Sequence, residues 1–179
     1  MHKTRVIAMA VTLAALAALL SSCGTATGIA AVVAGDGFSC ARLDDGRVAC
    51  WGTNARGQTG TGTLTGSTTP VAVPGLSATV DVTAGATHAC AVDGGGAVRC
   101  WGANDAGQVG DGTSTDAPVP VAVDGVSDVV DVAAGDAHTC ALRSDGSVRC
   151  WGANDRGQLG DGSTTDPTTP QADPRLSDV

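Results

Sequence analysis

The residues with the most evident chemistry are three cysteine pairs, Cys40 and Cys50, Cys90 and Cys100, Cys140 and Cys150, recurring every fifty positions. Paired thiols bind a metal or form a disulfide. Zinc sites favour C-x-x-C-like spacing or histidine companions, and nine intervening residues in an exported chain offer neither. A metal is therefore not expected, nor is a cofactor. In Cys140-Ala-Leu-Arg-Ser-Asp-Gly-Ser-Val-Arg-Cys150 two short strands flank Ser144-Asp145-Gly146, a turn in which glycine supplies positive φ. Such a hairpin sets the two cysteines opposite each other at a Cα separation of about 4.5 Å, within disulfide range. The expected bridges are Cys40–Cys50, Cys90–Cys100 and Cys140–Cys150.

Other reactive side chains repeat in register as well. His88 and His138 occupy the same place in two repeats, and Phe38 takes it in the first. A catalytic histidine needs a nucleophile or carboxylate uniquely beside it. Repetition argues for a structural hydrogen bond, and no catalytic residue is assigned. The Asp-Gly pairs at 111–112 and 161–162, with Asp116 and Asp166 five positions on, offer oxygen ligands for calcium. Their order does not match an EF-hand, and a solvated turn is the default reading.

These residues need elements to position them. Within one period, 128–135 reads as a strand, 137–143 and 147–152 as the hairpin, and Pro-Val-Pro-Val-Ala-Val at 118–123 as the fourth strand of the preceding unit. Each hairpin ends in Trp-Gly (Trp51-Gly52, Trp101-Gly102, Trp151-Gly152) and then a Gly-Gln-x-Gly-x-Gly run at 57–62, 107–112 and 157–162. Four short strands per period suggest propeller blades, an all-β fold with three four-stranded antiparallel units. With Phe38 and three tryptophans as the only aromatics, each indole is expected inside, carrying much of its unit's packing.

The phrase Gly-x-x-His-x-Cys-Ala at 85–91 and 135–141, followed by Gly-x-Val-x-x-Trp-Gly-x-Asn-x-x-Gly-Gln-x-Gly-x-Gly, resembles the repeat of the regulator of chromosome condensation family, over residues 29–179. That resemblance implies blades of a seven-bladed propeller. It also implies that Asn54, Asn104 and Asn154, with Gln58, Gln108 and Gln158, tie loops within blades rather than read a ligand. Gly57, Gly107 and Gly157 belong to the same repeat phrase. Family members include a guanine nucleotide exchange factor on chromatin and, among exported bacterial proteins resembling them, an inhibitor of β-lactamases. Exchange activity lies outside the repeat consensus and is not carried over. Only three repeats are present, which at sevenfold spacing sweep about 150° of a circle.

The termini bear on compartment and partners. Met1-His2-Lys3-Thr4-Arg5 and the apolar run from Val6 to Leu20 read as an export signal, and Leu20-Ser21-Ser22-Cys23 resembles a bacterial lipobox. The alternative is ordinary cleavage near Ala30. The expected organisation is a signal at 1–22, a lipidated Cys23 with a tether to 28, and three repeats at about 29–78, 79–128 and 129–179. Loss of Lys3 and Arg5 leaves eight arginines against 18 aspartates (8 − 18 = −10), a surface that repels phosphate backbones and excludes nucleic acid as a partner.

At the far end, Val71 and Val121 become Gln171, and Val73 and Val123 become Asp173, a change suited to a capped terminal unit. Relaxed constraint in a truncated propeller would look similar. The expectation is an envelope-anchored, non-catalytic module binding a protein partner, either as an open arc or as a homodimer completing a six-bladed ring. Polysaccharide recognition ranks second, because few aromatics remain for a sugar platform.

Overall fold

The computed structural model describes residues 28–172; Cys23, the signal and Asp173 lie outside them. Three antiparallel four-stranded sheets follow one another along the chain, and among the described residues there is no helix. The first holds β1 (Ile29–Ala34), β2 (Phe38–Leu43), β3 (Val48–Gly52) and β4 (Ser67–Ala72). The second holds β5 (Thr79–Ala84), β6 (His88–Asp93), β7 (Val98–Gly102) and β8 (Ala117–Ala122). The third holds β9 (Val129–Ala134), β10 (His138–Arg143), β11 (Val148–Gly152) and β12 (Gln171–Ala172). Each sheet keeps its strands in chain order, and the first strand of each lies beside the first strand of the next. Such up-and-down sheets set side by side are propeller blades.

The central hairpins are fixed by their turns. Gly46, Gly96 and Gly146 have φ of 78°, 77° and 83°, and each N–H closes the turn onto the carbonyl of Leu43, Asp93 or Arg143. Only glycine takes that conformation without steric cost. The resulting register pairs Cys40 with Cys50, Cys90 with Cys100 and Cys140 with Cys150. All three pairs are disulfide-bonded, with Cα atoms 4.1 Å apart.

The core lies in the seams between sheets. In the first seam Phe38, Cys40, Val48 and Val73 pack against Val82, Ala91 and Trp101 of the next unit. In the second, Val92, Val98, Val109 and Val123 pack against Val132 and Trp151. The sheets are thus stuck together by their apolar faces, and the disulfide sulfurs form part of that surface.

One expectation is corrected here. Trp101 and Trp151 are fully buried, whereas Trp51 is only half-buried. Each indole is covered by the unit before its own, and no described residues precede the first unit on that side. Val32 shows the same effect: it is 61% exposed, while its counterparts Val82 and Val132 are 4% and 5% exposed.

Candidate functional site

The repeated polar residues are best followed from the asparagines. Asn54 follows β3, and its side-chain oxygen accepts the N–H of Thr59 at 2.9 Å. Its amide donates to the carbonyls of Thr63 and Thr65 at 2.8 and 3.2 Å. Asn104 repeats this with Val109, Thr113 and Thr115, and Asn154 with Leu159 and Ser163. All three side chains are buried. Each pins the Gly-Gln loop to the Ser/Thr-rich loop that follows it, leaving no capacity for a ligand.

The glutamines sit one step further along. Gln58, Gln108 and Gln158 accept the N–H of residues 56, 106 and 156 at 2.9, 2.9 and 3.0 Å, which shapes each loop. The main-chain carbonyls of Gln58 and Gln108 point across the seams. Trp101 Nε1 donates to the carbonyl of Gln58 at 3.0 Å, and Trp151 Nε1 to that of Gln108 at 2.9 Å. Gly60 and Gly110 make room: a Cβ there would stand 2.8 and 2.9 Å from Cδ1 of Trp101 and Trp151.

His88 belongs to the same seam. It is fully buried, and its Nε2 lies 2.9 Å from the hydroxyl of Thr139 in the next unit. That hydroxyl donates to the carbonyl of Gln108 at 3.0 Å, so the imidazole Nε2 carries the hydrogen and Nδ1 is bare, without a partner. Burial, with a smaller contribution from His138, pushes the His88 pKa down to about 4, and the ring is neutral near pH 7. Among the described residues no carboxylate meets it, and the Thr139 hydroxyl that does is committed to the Gln108 carbonyl. His138 occupies the equivalent place on the third unit, where it is only partly covered.

An ion pair crosses the first seam, and in the second the Asp81 carboxylate accepts the N–H of Val132 at 3.2 Å. The Arg56 guanidinium grips Asp116 through two bonds, Nε to Oδ2 and Nη2 to Oδ1 (the latter 2.7 Å), and reaches Asp105 at 3.2 Å. The Arg56 bond holds the Asp116 carboxyl below the usual carboxylate range, and Asp116 also accepts the N–H of Asn104. In the second seam Ala106 replaces the arginine, although Asp155 and Asp166 stand at the corresponding places. The Asp-Gly loops spend their carboxylates locally. Asp111 accepts the Thr113 N–H and hydroxyl, Asp166 the Asn154 N–H, and no cluster among the described residues is suited to a metal ion.

The loops at 62–66, 112–115 and 164–166 are exposed and differ in sequence between units. Sequence reasoning missed Thr139 and the Arg56–Asp116 pair, since both partners come from different units. The available signal was a comparison of residue 38 of one repeat with residue 39 of the next: Phe38 faces Ala89, and His88 faces Thr139.

The profile of the regulator of chromosome condensation (RCC1) repeat matches residues 29–58, 79–108 and 129–158 in one form and 45–92, 95–142 and 145–178 in another. The chain belongs to this family. Among solved structures, the RCC1-repeat chain is similar to Prp20p of Saccharomyces cerevisiae, described with its binding to Gsp1p and histones. The TM-score is 0.76 at 22% identity, over 84% of this chain and 39% of that one. The same yeast protein bound to Kap60 gives a TM-score of 0.75 at 22% identity, over 84% and 38%. Human WBSCR16 gives 0.72 at 25% identity, over 80% and 39%. The chain spans about two fifths of the length of these structures. No curated protein matches it. RCC1-type propeller repeats are consistent with a protein-interaction module.

Proposed function

We propose that the chain is a non-catalytic RCC1-type interaction module, exported and held at the bacterial cell envelope by lipid on Cys23, or secreted if the signal is cut further on. Its partners are an envelope protein, bound through the variable loops, and a second copy of the chain. The observation that carries this reading is the division of labour among polar residues. The three Asn side chains, Gln58, Gln108 and His88 are buried and hydrogen-bonded inside the blades, while the loops that differ between units face solvent. Exposed loops on a rigid scaffold are where recognition is placed. That Prp20p binds Gsp1p and histones is in keeping with such use of the fold.

The test is retention of an envelope protein by the exported chain, compared with a variant whose exposed 62–66 loop, which stops short of β4, is replaced by Gly and Ser. Loss of the partner with an unchanged thermal transition is expected; equal retention by both overturns the loop assignment. Cys23→Ser is expected to move the protein from the membrane to the soluble fraction. Full membrane association of that variant overturns the anchor.

A second reading, polysaccharide binding, is favoured by the half-buried Trp51, which lines an open groove with Leu64 and Thr68. Elution by free sugar rather than by salt distinguishes it.

A further inference from the structure

The two seams follow one rule. The earlier unit supplies a Gly-Gln loop and a residue at the start of its second strand; the later unit supplies an indole and the residue facing that strand. In the second seam these are the Gln108 carbonyl with His88, and Trp151 with Thr139. In the first they are the Gln58 carbonyl with Phe38, and Trp101 with Ala89. The pairing is matched chemically: the imidazole meets a hydroxyl, and the phenyl ring shares an apolar cluster with an alanine.

Among the described residues, half of such a seam is left open at each end. The third unit presents His138, partly covered, and an exposed Gln158 loop. The first presents the half-buried Trp51 and Ser39, a hydroxyl at the position of Thr139. The steric halves also agree. A Cβ on Gly107 would stand 2.7 Å from Cα of Thr168, yet at Gly157 the nearest atom is Ser163 O of its own loop at 3.8 Å. Thr68, the first unit's counterpart of Thr168, is exposed. Val32 is 61% exposed on one end and Leu142 38% exposed on the other, where Val82, Val132 and Val92 are buried in the seams.

We propose that the first unit's open face docks the third unit of a second copy of this chain, forming a third seam with Trp51 on the Gln158 carbonyl and His138 on Ser39. The first seam's ion pair is not reproduced. Arg156 meets Ala55 and Gly66 where Arg56 meets Asp105 and Asp116, so the new seam rests on the indole, the hydroxyl and the apolar faces. The contact is head-to-tail. Two copies close into a ring of six blades if the rotation per blade relaxes to about 60°. This builds on the interaction-module reading only in naming a copy as partner.

The experiment is absolute mass by light scattering after size exclusion of the full exported chain with its disulfides intact, over a concentration series. It is repeated with Val32→Asp and Leu142→Asp, which burden opposite ends at exposed positions. The wild type is expected at twice the monomer mass, and each variant alone at half the wild-type value. An equimolar mixture regains the dimer, because each variant keeps the face that the other lacks. Intrinsic fluorescence of the wild type is expected to shift to the red on dilution as Trp51 is uncovered, a readout independent of whether the variants fold.

A wild type that stays at the mass of one chain at every concentration overturns the proposal. So does a dimer lost in only one variant, which marks a symmetric face-to-face contact. A monomer that still retains an envelope protein through its loops defeats the docking, and with it the second copy as a partner, and leaves the envelope-protein reading in place.

Discussion

At the scale of single residues, His88 makes the stability of the molecule sensitive to mild acid. In the unfolded chain its pKa is that of a free imidazole, 6.5, and in the fold it lies at about 4. The folded pKa is the lower one, so between those values the unfolded state binds more protons, and stability falls as pH falls. The contribution is fully present above about pH 6.5 and lost progressively down to about pH 4. At pH 4.5 the loss is on the order of 2–3 kcal/mol. The first seam, which has Phe38 and Ala89 at these positions within one apolar cluster, indicates the remedy. The double variant His88→Phe with Thr139→Ala is expected to fold at pH 7 and to lose this decline, as read by urea unfolding at pH 7 and 4.5. The loss due to Asp116, whose carboxyl is held below the ordinary range by Arg56, falls at lower pH and is separable from it.

At the scale of elements, the hairpins were legible in the sequence and the seams were not. Cysteine spacing around Ser144-Asp145-Gly146 is a local pattern, and β10 and β11 fall within a residue of the strands it implies. A seam joins residues about fifty positions apart, so Arg56 with Asp116, or His88 with Thr139, leaves no local trace. The half-exposed Trp51 has the same origin: an indole's own repeat does not say whether a neighbour covers it. The buried asparagines had only the family resemblance to indicate their structural role. Their main-chain partners become visible once both loops are placed. The missing ion pair of the second seam is itself a prediction. Ala106→Arg places a guanidinium beside Asp155 and Asp166, and it is expected to raise stability by up to about 1 kcal/mol at low salt, with the gain fading as salt is added. Thermal unfolding at two ionic strengths measures it.

At the scale of the whole molecule, stability is a sum over units and seams. Among the described residues only the second sheet has a seam on both sides, and β6 is buried along nearly its whole length, whereas β1 alternates between exposed and half-buried. Hydrogen exchange is therefore expected to be slowest in β6 and β7 and faster in β1 and in β12, a two-residue exposed strand. Equal protection of all three sheets at submicromolar protein would contradict this order. At concentrations where copies dock, the end sheets are expected to gain protection and the middle one to stay unchanged.

The acceptor of the indole N–H in each seam is a main-chain carbonyl, that of Gln58 or Gln108, rather than a side chain. A carbonyl cannot be lost by point mutation. A fifty-residue unit duplicated or deleted by unequal recombination thus arrives with its acceptor on one face and its indole on the other, already in register with any neighbour. Adding or removing a whole blade therefore keeps the indole–carbonyl bond of a seam, while the seam-specific pairs, His88 with Thr139 or Arg56 with Asp116, have to be matched anew.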